Sequence, residues 1–262
     1  MTALWRRHAA AGRRLLALLL VSALALQLFF LARIVLLRWF DPPSTTFQRS
    51  EAARLIGVEN GLAWRHRWVD YPRMSLNLKR AVVASEDSGF AEHSGVEWDA
   101  LEKAWERNQR AEAAQERLQE QAQQRSAGTQ RPRAPTSVSA RLVGGSTITQ
   151  QLAKNLLLSS ERNFARKGQE FLITAALEAV LDKRRILEIY LNHVEWGAGV
   201  FGAEAAAQHY FRVPASGLTA AQAARLAVML PAPKRFERRP GSAYVSARAA
   251  AVMARMSAVD VP

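Results

Sequence analysis

The sequence contains no cysteine, and only 23 acidic residues stand against 36 basic ones in its 262 residues. Without cysteine the chain can form no disulfide, thiolate metal site or thiol nucleophile. It also lacks a Walker-type phosphate loop and a G-x-S-x-G nucleophile elbow. No metal-binding motif is present, so the sequence predicts no protein-held metal.

The excess of basic residues gives a formal net charge of +13. Such a charge suits nucleic acid, an anionic membrane surface or a phosphorylated substrate. Because the sequence has no recognisable nucleic-acid-binding motif, we expect no nucleic-acid partner. Hydrophobic residues make up 49% of the chain and charged ones 23%, which is typical of a globular protein.

Residues 15–37 form a long, mainly apolar run in which Arg33 is the only charged residue. It is long enough to cross a hydrocarbon core of about 30 Å, and no A-x-A-like cleavage site follows promptly. We therefore predict an uncleaved transmembrane helix. Four arginines precede the run and two lie at its end, so residues 1–14 are expected in the cytoplasm and the remainder outside it.

Beyond the span we expect a juxtamembrane segment at residues 38–72 and the main domain at residues 73–262. Trp64, Trp68 and Tyr71 stand among arginines in the first of these. They fit equally a contact with lipid headgroups and packing inside the domain. Little of the chain alternates with the period of a strand, so the fold is predicted to be mainly α.

Residues 105–142 differ in composition from their surroundings. Glutamine, arginine, alanine and glutamate dominate the first part, whereas glycine, proline and serine appear towards the end. This composition predicts a flexible, solvated insertion in the domain.

The stretch GGSTITQQLAKN, residues 144–155, has the strongest local pattern in the chain. Thr147 and Gln150 form a capping-box pair, which predicts a helix that starts there. Gln151 and Lys154 then lie on the same face as Thr147, near a helix end that favours anions. The apolar face of this helix is formed by Ile148, Leu152 and Leu156. An ordinary capped surface helix would show the same pattern.

A second polar cluster follows residues 75–85, SLNLKRAVVAS, which suit a short helix with Leu78 inward. Glu86 then lies at the negative end of the helix dipole, next to Asp87. Both effects predict a raised pKa, as a general base requires. A solvated pair of acids at a helix end is the alternative, and His93 alone is more often structural than catalytic.

Residues 161–182 are expected to form a long amphipathic helix, with Leu172 and Ile173 among its apolar residues. Arg166 and Glu170 lie four residues apart on one face of it. Such a pair is an ordinary helix-surface ion pair worth a few tenths of a kcal/mol, unless a site is built around it.

Residues 183–197, KRRILEIYLNHVEWG, have apolar residues at the spacing of another buried helix, with Tyr190 in the apolar stripe. Thr219 and Gln222 form a capping box for a last strong helix, which ends at Leu230.

Five of these stretches resemble, in order, the five motifs of the peptidoglycan glycosyltransferases, glycosyltransferase family 51. They are EDSGFAEHSG, GGSTITQQLAKN, RKGQE, KRRILEIYLN and GVFGAEAAAQHYF. The length and the single anchor are similar to the monofunctional biosynthetic members from Gram-negative bacteria. The S-x-x-K and K-T-G motifs of the bifunctional relatives are absent.

The resemblance implies a lysozyme-like, mainly α-helical domain that polymerises lipid II into β-1,4-linked glycan with inversion and releases undecaprenyl pyrophosphate. Glu86 matches the general base and Glu170 a second motif carboxylate on the donor side. Lys154, Arg166 and Lys167 match phosphate-contacting positions. Further cleft positions are matched by Asp87, Phe90, His93, Thr147, Gln151 and Asn155.

The resemblance further implies a single-pass protein of the bacterial inner membrane with a periplasmic catalytic domain. Its expected partners are lipid II, the growing glycan chain and membrane lipids, together with cell-wall synthesis or division proteins. No cofactor is certain, although a divalent cation, Mg or Mn, assists some relatives at the pyrophosphate.

Two other functions fit parts of the sequence. A membrane-anchored glycosidase could use Glu86 and Glu170 as acid and base, but a sugar leaving group needs a proton rather than the cations at Lys154, Arg166 and Lys167. An inactive cell-wall scaffold would be expected to have lost these residues, and all of them are present.

Overall fold

The computed structural model describes residues 2–56, 64–98, 146–158 and 164–262, with isolated positions at 102, 106, 109, 110 and 117. Chain contacts define one unit formed by Met1–Gly95 and Ile148–Pro262 and another formed by Val96–Thr147. The predicted insertion at residues 105–142 lies almost wholly outside the described residues, as do Gly144 and Gly145. Within the second unit, Arg110 pairs with Glu106 at 3.0 Å on the surface.

The first unit is built mainly of helices, as the sequence predicts. They are α1 (Thr2–Leu36), α2 (Thr46–Ile56), α3 (Leu76–Glu86), α4 (Ile148–Leu157), α5 (Phe164–Val180), α6 (Lys183–His193), α7 (Ala203–Phe211), α8 (Ala220–Met229), α9 (Pro233–Phe236) and α10 (Ala243–Met253). Short 3₁₀ turns lie at Tyr71–Arg73, Ala215–Gly217 and Met256–Ala258.

Local sequence signals explain where several helices start. The Ser75 side chain accepts the Asn77 N–H before α3, and Asp182 accepts the Arg185 N–H before α6. The predicted capping box between Thr219 and Gln222 opens α8. Each bond satisfies a backbone donor that the first helical turn leaves without an intrahelical acceptor.

The core is made by packing α3 on α8, α8 on α10, and α4 between α5 and α6. Buried side chains include the predicted inward residues of α3 and the Tyr190 stripe of α6. The sequence places Leu172 among the apolar residues of α5, but its side chain is exposed, whereas Ile173 is buried. The helix α10, rich in alanine, was not anticipated after the helix that ends near Leu230.

The structure also contains a small sheet that the sequence does not predict. Its strands β1 (Arg65–His66), β2 (Glu195–Gly197) and β3 (Val200–Phe201) have the order β1-β3-β2. The strand β1 runs parallel to β3, and β2 runs antiparallel to it. Two or three residues are too few to show a strand period in sequence.

The structure decides between the two interpretations of the aromatic residues before α3, namely contact with lipid headgroups and packing inside the domain. Trp64 packs on Phe201 with ring centroids 4.6 Å apart, and Tyr71 is buried in the core. The Arg185 guanidinium lies over Trp68. These side chains therefore pack inside the domain.

Among the described residues, one helix is long and apolar enough to cross a membrane, from Ala11 to Leu36. This fits a single-pass anchor. Its last part enters the domain, because Ile34 and Leu37 are buried in the core. Deeper in the apolar run, Gln27 exchanges two side-chain hydrogen bonds with Gln169 of α5, at 2.8 and 2.9 Å.

Candidate active site

The helix α4 forms one wall of the site. It begins at Ile148, directly after Thr147, which agrees with the start predicted from sequence. The predicted apolar face is buried, whereas Lys154 is exposed and Gln151 and Asn155 are partly exposed. Burying one face therefore leaves an amide-rich and cationic face on the other side.

Glu86 is the last residue of α3, and its carboxylate faces α4. Gln151 Nε2 donates to Glu86 Oε2 at 3.1 Å, and the Ser85 hydroxyl donates to Oε1 at 3.4 Å. Burial raises the pKa of Glu86, the two side-chain hydrogen bonds lower it, and the Asp87 charge raises it further. The direction agrees with the sequence analysis, but burial is the main cause, ahead of the neighbouring charge.

Asp87 and His93 brace the loop beyond α3. Asp87 is buried, and its Oδ2 accepts the Ile148 N–H at 2.9 Å. Gly95 N–H donates to His93 Nδ1 at 3.1 Å, so the proton lies on Nε2, which donates to Asp87 Oδ1 at 2.7 Å. Phe90 is fully buried beneath them. Asp87 thus joins the loop to the start of α4, and His93 has a structural bond.

Glu170, on α5, is buried between two cations. Arg166 donates to its Oε2 at 3.1 Å, and Lys167 donates to its Oε1. The carboxylate is 4% exposed, against 18% for the Arg166 side chain and 41% for Lys167. The predicted Arg166–Glu170 pair is therefore present and more deeply buried than an ordinary helix-surface pair.

A cavity of about 360 Å³ lies between α4, α5 and the segments that follow α6 and α8. Its polar lining comes from Gln151, Lys154, Asn155, Arg166 and Glu195. Gln151 links the cavity to Glu86, and Arg166 links it to Glu170. The cavity wall thus carries cations and amides that suit an anionic, hydroxyl-rich ligand, and each of the two predicted carboxylates is bonded to one residue of that wall.

Two residues of this site were missed from the sequence. Tyr190 is assigned there to the apolar core, yet its hydroxyl donates to Gln151 Oε1 at 2.9 Å. Glu195 is buried in β2, 3.3 Å from Lys234, and burial raises its pKa to about 7 despite that cation. An acidic residue in the otherwise apolar run VEWG was the available signal.

The part of the chain that the structure describes contains no cluster of three or more histidine, aspartate or glutamate side chains suited to hold a metal ion. Glu86 instead contacts neutral amide and hydroxyl donors, and Glu170 contacts cations.

Comparison with known proteins shows the family to which the chain belongs. A family model described as Transglycosylase matches residues 53–117 and 133–257. The chain is 49% identical to the biosynthetic peptidoglycan transglycosylase of Burkholderia thailandensis over 239 residues, 91% of this chain and 83% of that protein. The protein of that name from Paraburkholderia xenovorans is 46% identical over 247 residues, 94% of this chain and 91% of that protein. Because the matches cover most of both chains, this protein belongs to the transglycosylase family.

Proposed function

We propose that this protein is a membrane-anchored peptidoglycan glycosyltransferase that joins lipid II units into β-1,4-linked glycan. The observation that carries the proposal is a cavity lined by Gln151, Lys154 and Arg166, with Glu86, whose pKa is raised, hydrogen-bonded to Gln151. A base and an anion-binding wall are what glycosyl transfer from a pyrophosphate donor requires. The names of the relatives support the same substrate class.

In the proposed reaction, Glu86 removes the proton from the 4-hydroxyl of the acceptor sugar. The resulting oxygen nucleophile attacks the anomeric carbon of the lipid-linked donor, whose bond to the pyrophosphate oxygen breaks with inversion. The proton stays on Glu86, and the bonding electrons leave with undecaprenyl pyrophosphate. Burial serves this step because a carboxylate with a raised pKa is a stronger base.

Negative charge gathers on the pyrophosphate as the bond breaks. Lys154 and Arg166 line the cavity, and Lys167 lies beside Arg166 on α5. Cations fixed before the reaction stabilise that charge without reorganisation during the step. Glu170 holds the Arg166 and Lys167 side chains in place, and Asn155 and Gln151 supply amide groups to the cavity. If Mg or Mn takes part, it binds through the pyrophosphate oxygens.

The proposal places the enzyme in the inner membrane of a bacterium, with residues 1–14 in the cytoplasm and the catalytic domain in the periplasm. The α1 helix supports it, since its apolar part joins the domain directly at Ile34 and Leu37. A short connection of this kind would keep the catalytic domain at the surface in which a lipid-linked donor resides. Cell-wall synthesis or division proteins are the macromolecular partners we propose.

The test is polymerisation of labelled lipid II by the purified, detergent-solubilised chain. The parent should produce a ladder of glycan, and Glu86→Gln should produce none, since an amide cannot accept the proton. Glu92→Gln is the matched control, because it makes the same chemical change at an exposed position in the same loop. It should retain the activity of the parent.

Other outcomes separate the alternatives. Equal ladders from the parent and Glu86→Gln would keep the family activity but remove Glu86 from the role of base. Release of muropeptides from purified sacculi, without polymer from lipid II, would identify a glycosidase. Lipid II that binds but is neither polymerised nor cleaved would identify a scaffold.

A further inference from the structure

The chain of hydrogen bonds that ends on Glu86 begins in the core. The Tyr190 hydroxyl donates to Gln151 Oε1 at 2.9 Å, and Gln151 Nε2 donates to Glu86 Oε2 at 3.1 Å. Tyr190 is 1% exposed, and its pKa is raised well above the usual value by burial and then by the charges of Glu86 and Asp87. The phenol therefore stays protonated and available as a donor.

The amide of Gln151 has two orientations that differ by half a turn. In the observed one its N–H groups face the carboxylate and its oxygen faces Tyr190. In the reverse orientation the amide oxygen would face Glu86, which is favourable only when Glu86 is protonated and donates. The Tyr190 hydroxyl would then lose this acceptor inside the core, which is costly.

We propose that Tyr190 is a positioning residue that holds the Gln151 amide with its N–H groups towards Glu86. This inference rests on the proposed function, in which Glu86 is the base. A donor aimed at the carboxylate favours the charged form and opposes the effect of burial. Tyr190 thereby keeps Glu86 ionised, and so able to accept a proton, without touching the substrate.

In the described part of the chain, few other groups lie close enough to Glu86 to affect its protonation. From α3 itself, Ser85 donates to Glu86, and Asp87 is the charged neighbour, with His93 bonded behind it. From α4 the contact is Gln151, which is neutral, and from α6 it is Tyr190. The orientation of one amide is therefore a principal control on the protonation of Glu86.

The experiment is the pH dependence of lipid II polymerisation by the full chain and by Tyr190→Phe. Without the hydroxyl the amide can turn over, so protonated Glu86 is favoured and its pKa rises. The acid limb of kcat should move to higher pH by roughly half a unit or more. At the alkaline plateau, kcat should approach that of the parent.

The control is Tyr210→Phe, which removes a hydroxyl that donates to the Trp196 carbonyl at 2.7 Å and has no bond to Gln151. It should lower thermal stability without moving the acid limb. Gln151→Ala should move the limb at least as far as Tyr190→Phe, and adding Tyr190→Phe to it should cause no further shift. A uniform loss of kcat in Tyr190→Phe, with the limb unmoved, would overturn the inference.

A second measurement does not depend on turnover. The Glu86 carboxyl, identified by the signal lost in Glu86→Gln, can be titrated by ¹³C NMR in the parent and in Tyr190→Phe. A higher midpoint in the variant supports the inference even if the parent makes no polymer, in which case only the proposed function fails. Equal midpoints in an enzyme that does polymerise lipid II would remove Tyr190 from this role and leave the function intact.

Discussion

Glu86 and Glu170 each hydrogen-bond to a residue that lines the same cavity, and their surroundings differ in charge. Glu86 accepts hydrogen bonds from the neutral side chains of Gln151 and Ser85, and burial raises its pKa. Glu170 is held between Arg166 and Lys167. One carboxylate is thus left with a strong tendency to take up a proton, whereas the charge of the other is balanced by cations.

The comparison teaches how two identical functional groups can serve different steps. A buried carboxylate without a cation is suited to general-base chemistry, because its raised pKa makes uptake of a proton more favourable. A carboxylate paired with cations holds them in place, and in the proposed reaction those cations meet the leaving group. The difference predicts that the same chemical change lowers stability at Glu170 but not at Glu86.

The largest contrast in stability is expected between the variants Glu86→Gln and Glu170→Gln. Both should abolish or strongly reduce polymerisation. At neutral pH, Glu86→Gln should leave stability unchanged or raise it, because it removes a charge that burial disfavours. Glu170→Gln should lower stability by about 1–3 kcal/mol, since it removes the partner of two cations, one of them largely buried. Thermal unfolding of the two variants in the same detergent measures this.

That pair of variants also shows how the comparison could fail. If both substitutions lower the melting temperature by similar amounts, the Glu86 charge is not uncompensated and the division of roles is wrong. Glu92→Gln again serves as the control for loss of an exposed carboxylate.

A second prediction concerns the cation wall at Lys154. Lys154→Ala should reduce kcat by roughly 10²-fold, the usual loss when one preorganised charge stabiliser is removed from a site. Lys154→Arg should retain part of the activity. The acid limb of the pH profile should stay in place for both, since Lys154 is not among the groups that shift Glu86.

The control for charge alone is Arg248→Ala, an exposed position on α10 outside the lining of the cavity. It removes one positive charge and should leave kcat unchanged. A comparable loss in Arg248→Ala would show that net charge, rather than the position of Lys154, governs the rate.

The sequence predicts the parts of this site that depend on local pattern. Burial of Ile148 and its partners follows from helical spacing, and the Arg166–Glu170 pair follows from a separation of four residues. The sequence correctly predicts that the pKa of Glu86 is raised, but it does not predict that burial is the main cause. A sequence shows that Asp87 is adjacent, but it does not show how much of Glu86 is buried by the fold.

What the sequence could not provide depends on contacts between distant segments. Tyr190 lies 39 residues from Gln151, and its hydroxyl is indistinguishable in sequence from that of any buried tyrosine. The pairing of Glu195 with Lys234 likewise joins β2 to α9. Residue type limits what such groups can do, and only tertiary structure determines which of them meet.

Glu195 extends the comparison to a third carboxylate. A cation, Lys234, lies near it, and yet its pKa is raised, as that of Glu86 is. Its pKa rises to about 7 from 4.5, with burial outweighing Lys234. Between these two pH values the folded chain binds more protons than the unfolded chain, so this residue lowers stability as pH rises. Between pH 4.5 and pH 7.5, the free energy of unfolding of Glu195→Gln should therefore increase by about 3 kcal/mol relative to that of the parent.

Denaturant unfolding at several pH values measures that difference. His193 acts in the opposite direction, because burial lowers its pKa to about 3 and stability should rise with pH between 3 and 6.5. The His193 contribution is common to the parent and Glu195→Gln, so it cancels in the comparison. If the difference in unfolding free energy between the parent and Glu195→Gln does not change with pH, Lys234 compensates the charge of Glu195 fully.

The smallest effect is expected where α5 meets α1. Gln27 and Gln169 exchange two hydrogen bonds, and Gln169 precedes Glu170 in the chain. Interhelical polar pairs of this kind contribute about 0.6 kcal/mol on average in a membrane protein. Gln27→Leu and Gln169→Leu should each lower the melting temperature slightly, and the double variant should lose no more than either single one.

This pair connects α1 to the helix that carries Arg166, Lys167 and Glu170, and it therefore gives the comparison its finest test. Both leucine variants should raise KM for lipid II about twofold, as the position of α5 loosens, and leave the acid limb of kcat where it is. Additive losses of stability would mean that the two amides do not interact. A shifted acid limb would mean that the surroundings of Glu86 and Glu170 are coupled through α5, and that the two carboxylates cannot be treated as separately tuned groups.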